Sequence, residues 1–210
     1  MPKLHLYGRV VGLYDTNCYF IENEDTRELV IADPGGDASR LADLIRQNNA
    51  RPVAFLLTHG HFDHILAVNE LKALFPDAPI VASVRESMLG DPSINSTPLG
   101  DPNYTVRPDV TVDEGDELHY AGFTFKVMAT PGHTAGSVCY YMENESLLLA
   151  GDTLFFASYG RTDLPTGSDE EMQKSRERLY FTLPLDTAVL PGHGRTTTIG
   201  QERRIFGIDQ

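Results

Sequence analysis

Three histidines and an aspartate fall within six residues, His59-Gly60-His61-Phe62-Asp63-His64, directly after an apolar run over residues 53–57. A solid apolar run of that length reads as a strand buried on both faces. The loop beyond such a strand is where α/β folds place their chemistry. The donor types suit a divalent cation, zinc first, with iron and manganese also suited. In an extended turn His59 and His61 project to the same side. Asp63 and His64 then enter a helix and face a second point nearby. One cation cannot use all four donors and keep an open coordination position, whereas two cations can.

Further donors follow other strand candidates, each beside glycine. They occur in Thr130-Pro131-Gly132-His133-Thr134, Ala150-Gly151-Asp152-Thr153 and Leu190-Pro191-Gly192-His193-Gly194. Glycine lets backbones approach closely at such loops. With the first run, these segments supply five histidines and two aspartates. His5 and His119 lie inside strand candidates without such loops and read as ordinary strand side chains.

Short β-rich runs at 4–11, 16–22 and 29–33 predict hairpins. A helix is expected over about 37–48, capped by Asp37 and burying Ala38, Leu41, Ala42 and Ile45. A second helix should start near Asp63, turn Ile65, Val68, Leu71 and Phe75 inward, and stop at Pro76. Pro92, Pro98, Gly100, Pro102 and Pro108 make residues 91–109 a surface loop bordering a site. Strands are expected at 111–112, 117–120, 123–129, 138–141, 147–150 and 187–190. A charged helix with a solvated face is expected over 168–181. Strands and helices alternating in blocks suggest an α/β sandwich whose two halves each pair a sheet with helices.

The 210 residues suit one domain over 1–210. A net charge of −13 argues against nucleic-acid and anionic-membrane partners. No apolar run is long enough to span a bilayer, and none follows Met1 as a leader would. The expected location is cytoplasmic, with Cys18 and Cys139 as reduced, buried thiols.

His59-x-His61-x-Asp63-His64, followed in order by His133, Asp152 and His193, resembles the metallo-β-lactamase superfamily. Thr16-Asn17-Cys18-Tyr19 and Ile31-Ala32-Asp33-Pro34-Gly35 match it as well. The resemblance covers nearly the whole chain and implies a four-layer αββα sandwich with two metals at one edge. It also implies that His59, His61 and His133 hold the first metal. Asp63, His64 and His193 would then hold the second, and Asp152 would bridge.

Flavodiiron reductases carry Glu where this chain has His61. True β-lactamases are exported and differ at the Asp152 position, and RNA-processing members carry basic surface. The branch most resembled is the single-domain, glyoxalase II-like hydroxyacylglutathione hydrolases, through residues 159–168 and Pro191-Gly192-His193-Gly194 with Thr197-Thr198-Ile199-Gly200. The resemblance implies hydrolysis of a small thioester, S-lactoylglutathione included, by a metal-bridging hydroxide. Asp63 would orient the nucleophile and Arg161 would meet a substrate carboxylate, with Tyr159 beside it. Two-domain glyoxalase II enzymes carry a C-terminal helical extension, whereas this chain ends 17 residues after His193. The Gly160-Arg161-Thr162-Asp163 stretch also resembles persulfide dioxygenases. Those hold one iron through residues matching His59, His133 and Asp152. A non-catalytic binding module has no physical reason to keep an open two-metal site.

Overall fold

The computed structural model describes residues 2–95 and 104–208. Two six-stranded sheets lie face to face. The first runs, in spatial order, β1 (Leu4–Val11), β2 (Thr16–Asn23), β3 (Glu28–Ala32), β4 (Arg51–Leu56), β5 (Ile80–Ser83) and β6 (Val110–Val112). The second comprises β7 (Glu117–Tyr120), β8 (Phe123–Ala129), β9 (Val138–Met142), β10 (Leu147–Gly151), β11 (Ala188–Pro191) and β12 (Thr197–Thr198). β1 to β3 pair antiparallel, and β3 to β6 pair parallel. The second sheet is antiparallel except where β10 meets β11.

Helices α1 (Ala38–Gln47), α2 (Phe62–Ile65) and α3 (Val68–Leu74) follow strands of the first sheet. Helices α4 (Asp169–Thr182) and α5 (Ile199–Ile205) follow strands of the second. Alternation along the strands assigns each side chain to a layer. Cys18, Phe20, Phe55 and Leu57 pack with Leu41, Ile45, Val68 and Leu71 of α1 and α3. Tyr19, Ile21, Ala54 and Leu56 turn the other way and meet Phe125, Val127, Tyr140 and Leu149 between the sheets. Cys139, Leu148 and Ala150 pack with Leu179 and Tyr180 of α4 and Ile199 of α5. Three apolar layers between four structural layers make the αββα sandwich. Both faces of the central strands are buried, which is why residues 53–57 carry no polar alternation.

Several local expectations change. Asp37 takes the N-cap position of α1, but its backbone is left-handed and its side chain makes no cap bond. Its Oδ2 accepts instead from the Gly12 amide at 3.2 Å. The helix expected from Asp63 to Phe75 is two helices. At the break, the Ala67 amide donates to Pro34 O at 3.0 Å, outside the helical ladder. Gly35 explains the placement: a Cβ there would lie 1.6 Å from Asp63 O, so only glycine fits beneath α2. α4 is charged along one side but buries Met172, Ser175, Leu179 and Tyr180. β5, β12 and α5 carry no expectation from the sequence. Cys18 and Cys139 are free and buried. Within the loop expected at 91–109, residues 96–103 lie outside the described residues. Among the described residues no helix is long and apolar enough to cross a membrane.

Candidate metal centre

Each predicted donor stands in a loop or short helix just past a strand of the sandwich. His59 and His61 occupy the link from β4 to α2, and α2 carries Asp63 and His64. His133 follows β8, Asp152 follows β10 and His193 follows β11. The two sheets are stapled at this edge. The Asn17 amide donates to Gly192 O at 2.7 Å, and the Tyr19 hydroxyl donates to Pro191 O at 2.9 Å. The His133 loop is braced by α4: Ser168 N donates to Gly132 O and Ser175 Oγ to Pro131 O. Gly132 (φ +143) brings its backbone against Met172, where a Cβ would lie 2.4 Å from the Met172 backbone.

All seven side chains converge. His61 Nδ1 and His133 Nε2 are 2.7 Å apart, and His64 Nε2 and His193 Nε2 are 3.3 Å apart. Asp152 lies between the groups, 3.3 Å from His133 Nε2 and 3.4 Å from His64 Nε2. Asp63 Oδ2 sits 3.2 Å from His193 Nε2 and accepts from Thr16 Oγ1 at 3.0 Å. Ligand atoms of His59, His61 and His133 lie within 4.8 Å of one another, as do those of Asp63, His64 and His193 and those of His59, His64 and Asp152.

Most of these rings are aimed by their far nitrogen. His59 Nδ1 meets Thr58 Oγ1 at 3.0 Å, His64 Nδ1 meets Asp33 Oδ2 at 3.0 Å, and His133 Nδ1 donates to Arg161 O at 2.6 Å. Such partners fix the tautomer and leave Nε2 to the cluster. Asp33 also accepts from Thr58 N at 2.8 Å and Thr58 Oγ1 at 2.7 Å, so one carboxylate steadies rings in both groups. Sequence reasoning did not give Asp33 or Thr58 a role, although Asp33 directly follows β3 as the other donors follow their strands.

The fit to cations rests on orphaned atoms. His59 Nε2, His61 Nε2 and Asp152 Oδ1 are buried without a hydrogen-bond partner. Buried polar atoms seldom stay unsatisfied. Imidazole nitrogens and carboxylate oxygens gathered within 4.8 Å of one another in groups of three suit zinc, iron or manganese.

The electrostatics divide the cluster. Burial pushes His59 well below the ordinary histidine value, helped by the surrounding histidines. Burial, with His133 and His64, brings His61 down to about 3. Burial also lowers His133 despite the opposing charge of Asp152. His64 goes the other way: Asp152, Asp63 and Asp33 outweigh burial and hold it well above the ordinary value. Asp63 and Asp152 remain below the usual carboxylate range because neighbouring histidines outweigh their burial.

Above the cluster opens a cavity of about 550 Å³, lined by Tyr14, Phe62, Phe155 and Leu164 beside the donors. Arg161 lines it too, but its guanidinium grips Asp163 through two 2.7 Å bonds. Tyr159 does not line the cavity. Its ring lies under the Arg176 guanidinium, 3.9 Å from centroid to Cζ. Asn95 accepts from the amide of Phe62, a residue of the cavity wall, at 3.1 Å, while none of the described residues between 91 and 109 lines the cavity itself. His5 pairs with Glu22 and His119 with Thr124, both away from the cluster.

The metallo-beta-lactamase superfamily profile matches residues 11–193, a span that holds every donor. The chain belongs to the metallo-beta-lactamase superfamily. Within it, the chain is 38% identical over 196 residues to the probable metallo-hydrolase YqgX of Bacillus subtilis, covering 92% of each chain. It is 34% identical over 197 residues to the hydroxyacylglutathione hydrolase GloC of Haemophilus influenzae, again covering 92% of each. Among solved structures, the BLEG-1 B3 metallo-beta-lactamase is 41% identical with a TM-score of 0.89, covering 95% of this chain and 97% of that one. A di-iron-bound form of TTHA1623 is 33% identical with a TM-score of 0.83, covering 95% and 98%. ETHE1 from Myxococcus xanthus is 30% identical with a TM-score of 0.79, covering 95% and 82%. A superfamily metallo-hydrolase with a divalent-cation site is the common ground of sequence, fold and donor set.

Proposed function

We propose that the chain hydrolyses small thioesters, S-lactoylglutathione among them, at a two-metal site. The carrying observation is the convergence of five imidazoles and two carboxylates, orphaned donor atoms included, with His61, Asp63, His133, Asp152 and His193 lining an apolar-walled cavity. His59, His61 and His133 would hold one cation and Asp63, His64 and His193 the other, with Asp152 between them. Bound divalent cations, zinc first, would supply Lewis acidity toward the carbonyl oxygen and acidify water. Asp63 stays ionised and is already steadied by Thr16, so it accepts a hydrogen bond from the attacking water and aims it. The water oxygen bonds to the acyl carbon and the carbon–sulfur bond breaks. The thiolate leaves without a strong acid, because a thiol with pKa about 8.5 is a good leaving group. Tyr14, Phe62 and Leu164 enclose the acyl portion and exclude water from it. The likeness to GloC supports this reading.

A second reading is a mononuclear-iron persulfide dioxygenase using His59, His133 and Asp152. The Gly160-Arg161-Thr162-Asp163 stretch and the likeness to ETHE1 favour it. One paired experiment separates them. Metal-replete protein is given S-lactoylglutathione, a simple acyl thioester, a lactone, a β-lactam and glutathione persulfide, with oxygen uptake followed throughout. Thioester turnover without oxygen uptake is expected. Oxygen consumption on persulfide with inert thioesters would replace this reading with the second.

A further inference from the structure

The cavity over the metal centre does not end at its own wall. Phe155 and His193, with ring centroids 6.0 Å apart, also line a second recess of about 370 Å³ with Phe156, Ser158, Gly194 and Arg195. Arg195 is exposed, and its guanidinium stands 3.4 Å from the Phe156 ring centroid. No ion pair engages it among the described residues. Arg161, the arginine of the first cavity, is neutralised by Asp163. Of the two arginines along this surface, the one still open to an anion is therefore Arg195.

The pair is held from beneath. The Phe155 amide donates to Ser158 O at 3.0 Å, closing a tight turn that presents Phe156. Within that turn the Ala157 amide donates to Glu202 Oε2 at 2.9 Å. Glu202 is fully buried on α5, and its Oε1 accepts from Thr197 Oγ1 at 2.6 Å, two residues beyond Arg195. One buried carboxylate thus anchors both the turn carrying Phe156 and the segment carrying Arg195. A guanidinium resting on an aromatic face keeps its N–H edge free for a carboxylate.

We propose that Arg195 on its Phe156 shelf binds a carboxylate at the end of the substrate that projects past His193. The substrate class is then a thioester with an apolar portion against Tyr14, Phe62 and Leu164 and an anionic end in the second recess. This assignment rests on the hydrolase reading of the centre and adds the specificity element to it.

The test compares S-butyryl 6-mercaptohexanoate with its neutral methyl ester on the metal-replete protein, its Arg195→Gln variant and its Arg195→Glu variant. In parallel, calorimetry measures binding of the non-hydrolysable thioethers, 6-(butylthio)hexanoate and its methyl ester. The intact chain should favour the carboxylate about fivefold in kcat/KM and in thioether affinity, as suits a charged contact open to solvent. Arg195→Gln should bring both ratios to about one, and Arg195→Glu should invert them, through the same contact. Ratios that ignore Arg195, or no thioether binding at all, overturn the assignment while leaving thioester hydrolysis standing. Inert thioesters with Arg195-dependent thioether binding overturn the hydrolase reading and leave the anion site standing.

Discussion

The two halves of the metal centre are built from opposite materials. His59, His61 and His133 form a dry, all-imidazole corner whose rings are kept neutral by burial. Asp63, His64 and His193 form an acidic corner nearer solvent, where side-chain exposure reaches 27% at His193 and 16% at Asp63. There carboxylates hold His64 and His193 above the ordinary histidine value. The first corner therefore offers its lone pairs without losing a proton. The second attracts a cation more strongly by charge, but a proton occupies the same nitrogens first. In the proposed two-cation reading, affinity and proton competition would thus be divided between two sites that share Asp152.

Removing that shared carboxylate should break both halves together. Asp152→Ala is expected to cut kcat/KM for thioester hydrolysis on the order of 10³-fold, about 4 kcal/mol, with the fold retained by circular dichroism. Near-normal turnover in a metal-replete Asp152→Ala protein would remove Asp152 from the centre.

A smaller change should separate the halves. Of the clustered rings Thr58 bonds only His59, whereas Asp33 holds Thr58 and, directly, His64. Asp33→Asn should weaken metal affinity at both corners by about 10- to 100-fold, and Thr58→Val should weaken mainly the imidazole corner. Competition with a metal-sensitive dye reads the two affinities. Equal losses at both corners in Thr58→Val would contradict this division.

Acid should separate them without mutation. As pH falls below about 6.5, His64 and His193 are already taking protons, while His61 stays neutral until about 3. The acidic corner should release its cation first, in a step distinct from the second. In the metal-free chain the signs differ as well. His64, raised on folding, adds stability below about pH 6.5 that is lost as pH rises through its folded value. His61, lowered on folding, adds stability above about 6.5 that is lost as pH falls toward about 3. Stepwise dialysis with elemental analysis follows the release, and one simultaneous step would count against the asymmetry.

The smallest effect is expected at Tyr159, whose ring rests on Arg176 outside the cavity. Tyr159→Phe keeps that stack and should change kcat/KM by less than about twofold, within the range of a surface substitution. A tenfold loss would return Tyr159 to the substrate site.

The donors were legible from the sequence because they are rare residue types at loop positions just past apolar strands. The sandwich was legible for the related reason that its central strands are apolar on both faces. Three things were not legible, and each depends on a neighbour distant in the chain. Asp33 looks like an ordinary turn aspartate until α2 brings His64 onto it. The break between α2 and α3 follows from Pro34 and Gly35 crossing beneath, which no local periodicity reports. Arg161 carries the right charge for a substrate carboxylate, yet Asp163 two residues on already takes it, while Arg195 had no motif to mark it.

The central claim is that two cations share this edge of the sandwich, and metal stoichiometry tests it most directly. Native mass spectrometry with elemental analysis of the purified chain should find two divalent ions per chain, both lost together in Asp152→Ala. A chain that saturates at one ion, or whose full loading survives Asp152→Ala, would contradict it.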